Sequence, residues 1–331
     1  MEFWGTIGPA CADIGLLKEM VREGMTGLRM NLSHGMLKDH MDWIRMIHEA
    51  GVPELLIDLQ GPELRIGTLP EPVKLEKGAH FLLMSDTREA GISPVISCPD
   101  ALIHGLTPGQ ELLLDDGKLL AHVIQTGPHM AECITERGGI LQSRKSIAAP
   151  GLAVQSPALT AEDLENLKMA AACGVTCVML PFVRGIDDIR NLKQALAECS
   201  ASHIRIYAKI ENRTGVQALA RFIGEVDHVV IARGDLGNDM PLWELPGYQK
   251  RIAARCRRAQ TPFMVVTQML DSMHTRAVPT RAEVCDIYNA VLDGASSVML
   301  TGETAAGSYP LEAMRYLIKT ARCAEKDREK S

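Results

Sequence analysis

A (β/α)8 TIM-type barrel of the α/β class, with an all-β lid domain inserted after its third strand, is the fold that this 331-residue sequence predicts. Three observations predict it. Short apolar runs alternate with amphipathic stretches along most of the chain, the pattern of parallel strands covered by helices. Short alternating segments punctuated by Gly and Pro interrupt that pattern once, from about residue 62 to residue 150. The apolar runs end in charged groups, and a barrel of this kind carries its chemistry at the C-terminal ends of its strands.

Taken in order, residues 3–7 read as the first strand and 13–23 as a helix. Residues 28–31 form the second strand, 37–50 a helix and 54–59 the third strand. The insert follows, with strand-like stretches at 73–76, 80–84, 111–117 and 119–126. Alternation resumes at Thr160, where Thr-Ala-Glu-Asp is a helix-capping pattern. Residues 175–180, 205–210, 227–232, 262–267 and 296–300 supply strands four to eight. Helices are expected over 186–197, 247–259, 280–292 and 310–325. The domains are then a barrel of residues 1–63 and 151–331 and an insert of 64–150.

With 46% apolar residues the chain can bury one large core and a smaller second one. Mean hydropathy is +0.01 and no apolar run reaches membrane-spanning length, so a soluble protein with no membrane partner is expected. The opening MEFWGTIGPA has no basic region followed by an apolar core, so no secretion signal is expected. A net charge of −6 gives no electrostatic reason to expect a nucleic-acid partner. Nine cysteines, without CxxC or CxxH clusters, read as reduced thiols of a cytoplasmic protein rather than as a zinc site.

The strand ends carry the functional signal. Lys209 and Glu211 close the fifth strand; Arg233 and Asp235 follow the sixth, with glycine on both sides of the aspartate. The second strand ends in Arg29, Asn31, Ser33 and His34, the third in Asp58 with Glu63 and Arg65 beyond, the seventh in Thr267. Singly, each has a bland reading: Arg29 could pair with Asp58, and Asn31 could cap a turn. As a set they exceed what structure alone demands, because isolated buried charge is costly. Glu211 and Asp235 offer oxygen ligands to a divalent ion such as Mg2+. Arg29 and Arg65 offer forked donors to phosphate, and the amides of Gly234 and Asp235 open onto a short helix that could accept a carboxylate. Lys209 would neutralise charge developing on a transferred group or an enolate. There is no GxxxxGK[ST] loop, so a nucleotide would be held by another device.

Over nearly its whole length the chain resembles the pyruvate kinase family. The resemblance rests on Thr6-Ile-Gly-Pro-Ala10, Arg29-Met-Asn-Leu-Ser-His-Gly35, Asp58-Leu-Gln-Gly-Pro-Glu-Leu-Arg65 and Lys209-Ile-Glu-Asn212. It continues through Ala232-Arg-Gly-Asp-Leu-Gly237, Thr267-Gln-Met-Leu-Asp-Ser-Met273, Pro279-Thr-Arg-Ala-Glu283 and Met299-Leu-Thr-Gly-Glu-Thr-Ala305. In the insert it includes Asp115-Asp116-Gly117 and the stretch from Ser143 to Gly151. The resemblance implies transfer of phosphate from phosphoenolpyruvate to ADP, giving pyruvate and ATP. It implies Lys209 as the transition-state cation, with Arg29 and Thr267 beside it. Glu211 and Asp235 would bind Mg2+ or Mn2+. Asn31, Ser33, Asp58 and the carbonyl of Leu59 would surround K+, a dependence that Glu63 accompanies. Arg29, Gly234, Asp235 and Thr267 would hold the substrate; Asn31, His34, Arg65, Asp116 and Lys145 would meet the nucleotide.

The departures from the family pattern lie around the substrate. Pro181 stands where Ser is usual before Phe-Val-Arg, Leu59 where Thr is usual and Gln60 where Lys is usual. Ser146-Ile-Ala-Ala-Pro-Gly151 replaces GVNLPG. They suggest as an alternative a related enzyme acting on a modified phosphoenolpyruvate or another enol or 2-oxo acid; a metal-dependent pyruvate-enolate lyase and a pseudoenzyme stand further back. The sequence ends at Ser331, where family members continue into a regulatory domain. A short form is therefore expected: a homodimer through the barrel helices, with hyperbolic kinetics and no activation by fructose bisphosphate.

Overall fold

The structure is a computed structural model that describes residues 1–62, 64–85, 94–115, 117–152 and 156–330. Of the expected site residues, Glu63 and Asp116 lie outside the described residues.

Strands Glu2–Thr6, Gly27–Asn31, Glu54–Asp58, Cys177–Leu180, Arg205–Ile210, His228–Ala232, Phe263–Val266 and Ser297–Met299 pair in parallel, in chain order, and the last closes on the first. This is the (β/α)8 barrel. Its strands are nearly continuous apolar runs because both faces are covered, one by helices and one by the barrel interior. Alternate residues point inward, as a period of two requires: Cys177 and Met179, Val230 and Ala232, Met264 and Val266 pack with Trp4, Leu56, Tyr207 and Met299. Trp4 is wholly buried and explains why the second strand opens with glycine. A Cβ on Gly27 would lie 2.3 Å from the indole.

Capping chemistry sets the helix ends. Asp13 accepts from the Leu16 amide at 2.8 Å to start Ile14–Glu23, and Gly24, at φ 118°, ends it in the left-handed conformation open to glycine. Thr160 and Asp163 form a reciprocal capping box on Ala161–Ala170; Thr280 and Glu283 form another on Arg281–Leu292. Two of the longer barrel helices differ from expectation. The helix expected over 37–50 is a 3-10 turn, Leu37–His40, followed by Met41–Glu49, because Asp39 turns back to the Met36 amide and Asn166 takes the Leu37 amide. A helix not anticipated after the fifth strand, Arg213–Phe222, is capped by Asn212 and buries Val216, Leu219 and Phe222 at threefold spacing.

The chain divides into two compact units: residues 1–61, 158–233 and 246–331 form one, residues 62–157 and 234–245 the other. The second unit holds a six-stranded sheet, in the order Ile147–Ala148, Glu111–Leu114, Leu119–Gly127, Met130–Arg137, His80–Met84, Val95–Ser97. A separate pair joins Val73–Leu75 to Gly139–Leu141. Phe81, Leu83, Leu112, Leu114, Val123 and Leu141 form its own core. This unit is not wholly β. Asp100–Ile103 is a short helix that begins after Pro99 and buries Leu102 and Ile103.

The nine cysteines are free thiols. Burial pushes those of Cys98, Cys133 and Cys256 up to about 12, so they are inert at neutral pH. Among the described residues, no helix is long and apolar enough to cross a membrane.

Candidate active site

Four charges of alternating sign line up across the ends of the second, third and fifth barrel strands. Arg29 lies midway along the second strand and Asp58 ends the third, in a register that pairs Asn31 with Asp58. The Arg29 guanidinium donates twice to one Asp58 oxygen, from Nε at 2.9 Å and Nη2 at 2.7 Å, while Nη1 reaches the Thr6 hydroxyl at 3.3 Å. Lys209 lies on the other side of the same carboxylate, with Nζ 3.3 and 3.2 Å from its two oxygens. Nζ is also 2.9 Å from Oε1 of Glu211. Arg29, Asp58, Lys209 and Glu211 are thus brought together. Two carboxylates fix the direction of the Lys209 ammonium, the prerequisite for using it on an anionic substrate.

Burial gives this row its strength. Asp58 and Glu211 are each 2% exposed. Burial by itself would raise the Asp58 pKa; Lys209 and Arg29 outweigh it and hold the carboxyl below the usual carboxylate range. Removing one member of such a buried set leaves its partner uncompensated, at a cost of about 3–5 kcal/mol.

Glu211 is aimed by backbone as well as by charge. Its Oε2 accepts from the Phe182 amide at 2.8 Å. Phe182 sits at φ 52°, a left-handed conformation that is costly for a bulky residue, just after Pro181 at the end of the fourth strand. Pro181 in turn abuts the turn after the third strand. A Cβ on Gly61, at φ 60°, would lie 2.4 Å from the proline ring. That turn is fastened by Asp163, fully buried, whose carboxylate accepts from the amides of Gln60 (2.8 Å), Gly61 (3.0 Å) and Thr160 (2.9 Å). The Gln60 side chain donates to the Leu32 carbonyl at 2.8 Å, tying the turns after the second and third strands together.

The bland readings of Arg29 and Asn31 are both realised. Arg29 pairs with Asp58, and the Asn31 side chain caps the 3-10 turn Leu32–His34 by accepting from the Ser33 amide at 3.2 Å. Ser33 and His34 are exposed at that turn, while Leu59 is buried with its amide on the Met179 carbonyl. At the seventh strand, Thr267 and the following Gln268 have φ of 75° and 54°; the Thr267 carbonyl accepts from Arg233 Nη2 at 2.7 Å and Nε at 3.1 Å.

The remaining expected residues belong to the second unit. Gly234 and Asp235 lie in the helix Arg233–Asn238, which starts directly after the sixth strand. Exposed Arg65 donates to the Arg144 carbonyl at 2.9 Å, and its backbone bridges Ser146. Lys145 pairs with Asp115 at 2.9 Å, and Lys118 reaches the same carboxylate at 3.1 Å. Asp115 is buried, which would raise its pKa, yet the two lysines hold it below the ordinary value.

Sequence reasoning missed three supporting groups. Asp163 was legible only as a helix cap; that its second oxygen fastens a neighbouring turn has no local signal. Thr6, within a recognised motif, was not singled out although its hydroxyl meets Arg29. The Phe182 amide carries no side-chain signature at all.

The family model for the pyruvate kinase barrel domain matches residues 2–314. Curated relatives agree. The chain is 34% identical to a pyruvate kinase of Bacillus licheniformis over 97% of its own length and 56% of the relative's. It is 37% identical to a pyruvate kinase of Homo sapiens, over 97% of its length and 59% of the relative's. It is also 37% identical to a pyruvate kinase of Methylorubrum extorquens, over 97% of its length and 68% of the relative's. The chain therefore spans between about half and two thirds of the length of these relatives.

Proposed function

We propose that this chain, which belongs to the pyruvate kinase family, transfers the phosphoryl group of phosphoenolpyruvate to ADP, giving pyruvate and ATP. The observation that carries the reading is Lys209, an ammonium held 2.9 Å from Glu211 and 3.2 Å from Asp58 at the end of the fifth barrel strand. In the reaction the bond between phosphorus and the enol oxygen breaks, and the oxygen keeps the electron pair. The phosphoryl group joins a terminal oxygen of ADP, and the enolate takes a proton at its methylene carbon to become the methyl of pyruvate. Lys209 would stabilise the charge that passes through this transition state, an interaction needed more there than in the ground state.

The other roles follow by family membership. Arg29 would contact the phosphate; Gly234, Asp235 and Thr267 would hold the carboxylate end of the substrate, with Thr267 near the carbon that is protonated. Asn31, His34, Arg65, Asp116 and Lys145 would meet the nucleotide, the last two from a lid made by the insert. Glu211 and Asp235 would hold Mg2+ or Mn2+, and Asn31, Ser33, Asp58 and the Leu59 carbonyl K+. The Glu211 carboxylate fits a hard divalent ion: it is buried, paired with Lys209 and oriented by the Phe182 amide. When bound, the divalent ion neutralises phosphate oxygens and so lowers the repulsion between the two anionic substrates. Barrel helices would pair two copies into a homodimer.

One observation favours a second reading, an enzyme of the same reaction class acting on a modified phosphoenolpyruvate or another enol or 2-oxo acid. Pro181 fills the space against Gly61 where the family usually has serine, which changes the wall beside Glu211 without touching the charges. A coupled assay of the purified protein with phosphoenolpyruvate, ADP, Mg2+ and K+ tests the first reading. Steady pyruvate formation supports it. Turnover with only a substituted enol phosphate would replace it by the second.

A further inference from the structure

We propose that Asp100, His104 and His129, all residues of the second unit, form a binding site for a divalent ion of the zinc class. Asp100 opens the helix Asp100–Ile103 and His104 caps its end four residues later, so the two side chains stand one turn apart on the same face. His129 lies in the turn between strands Leu119–Gly127 and Met130–Arg137. One ligand atom from each residue lies within 4.8 Å of the other two. Nδ1 of His104 is 3.4 Å from Oδ2 of Asp100, and Nδ1 of His129 is 3.4 Å from Oδ1.

Those spacings have chemical meaning. Two ligand atoms bound at about 2.0–2.1 Å to a tetrahedral ion are separated by about 3.4 Å. Each histidine already stands that far from one oxygen of the carboxylate, His104 from Oδ2 and His129 from Oδ1, and a turn of the carboxylate would bring one oxygen to both. The imidazoles, 59% and 70% exposed, are unconstrained by packing and can close the third edge by turning. Two imidazoles and one carboxylate select an ion of intermediate softness, Zn2+, Ni2+ or Cu2+, over Mg2+ or Ca2+, which prefer oxygen alone. Three protein ligands leave a fourth position for water or an outside donor. An ion held here would clip the short helix to the hairpin turn. The proposal does not depend on the reaction assigned above.

Without an ion the same three groups would do no more than share protons, each imidazole donating to Asp100. Titration of the full chain with Zn2+ after chelator treatment, and with Co2+ followed by its visible absorption, separates the two. The exposed thiols Cys285 and Cys323 are first changed to serine so that they cannot contribute. The proposal expects a tetrahedral Co2+ spectrum without thiolate charge-transfer bands. It also expects His104→Ala and His129→Ala each to weaken Zn2+ binding by more than about tenfold. Failure of the parent lacking Cys285 and Cys323 to bind Zn2+, or equal binding by this parent and the histidine variants, would overturn the proposal. These side chains are exposed, so the variants are expected to fold, and circular dichroism checks that they do.

Discussion

Lys209 gains its value from having two anionic neighbours rather than one. Asp58 is shared between Arg29 and Lys209, while Glu211 lies 2.9 Å from Lys209 and is the carboxylate proposed above to hold the divalent ion. Changing Glu211→Gln should therefore raise the Mg2+ concentration for half-maximal rate by tenfold or more, with a smaller loss of rate at saturating metal. A variant that titrates Mg2+ like the parent would place the metal elsewhere. Asp58 makes a prediction about acid stability. Its folded pKa lies below its unfolded value of about 4. The unfolded chain thus binds this proton first as pH falls, so the contribution is complete above about pH 4 and is lost below it. Asp58→Asn should be less stable at neutral pH by about 3–5 kcal/mol, since Arg29 and Lys209 lose a buried partner. Its stability should then decline less steeply in acid. Urea midpoints across pH measure both, and parallel acid limbs for parent and variant would contradict the assignment.

At the scale of elements, the barrel rim is assembled from turns fastened by side chains far away in sequence. Asp163 starts one helix and holds the turn that follows the third strand, where Asp58, Leu59 and Gln60 lie. Asp163→Ala removes acceptors from three backbone amides and should cost about 2–4 kcal/mol, more than the ~1 kcal/mol of an ordinary cap. A loss near 1 kcal/mol in urea denaturation would mean the turn holds without it. This division also explains what the sequence disclosed. Strands such as Arg205–Ile210 and His228–Ala232 were legible because burial on both faces forces continuous apolar runs. Lys209 and Glu211 were legible because charge at the end of such a run needs a reason. The Phe182 amide, the turn-holding role of Asp163 and the grouping of residues 234–245 with the second unit arise from tertiary contact, for which no local pattern exists. The helix Arg213–Phe222 was readable from its apolar spacing, yet it lies in a stretch where the strands dominated the pattern.

For the molecule as a whole, the N-terminal end of the barrel offers a second pH effect. His228, 6% exposed, stacks on Tyr207 with ring centres 4.3 Å apart. Burial lowers its pKa below the ordinary value of about 6.5. The folded protein therefore binds this proton less readily than the unfolded chain, and stability falls as pH drops below about 6.5. A His228→Gln variant should lose less stability than the parent between pH 7 and pH 5; equal losses would show that His228 is not the group responsible. Monovalent cations test the rim in the same global sense. If Asn31, Ser33, Asp58 and the Leu59 carbonyl still make a K+ site, turnover should be faster in K+ than in Na+ at equal ionic strength. Equal rates would mean that the change to leucine at position 59 has removed the preference.

The central claim is that the buried row Arg29–Asp58–Lys209–Glu211 performs phosphoryl transfer through Lys209. Lys209→Met keeps much of the side chain's length and removes only the charge, so the direct measurement is the kcat of this variant with phosphoenolpyruvate and ADP at saturating Mg2+, alongside its circular dichroism. The account predicts a native spectrum with kcat reduced by at least about a thousandfold, as for loss of a main transition-state stabiliser. A folded variant that retains more than a tenth of the parent's kcat would contradict it.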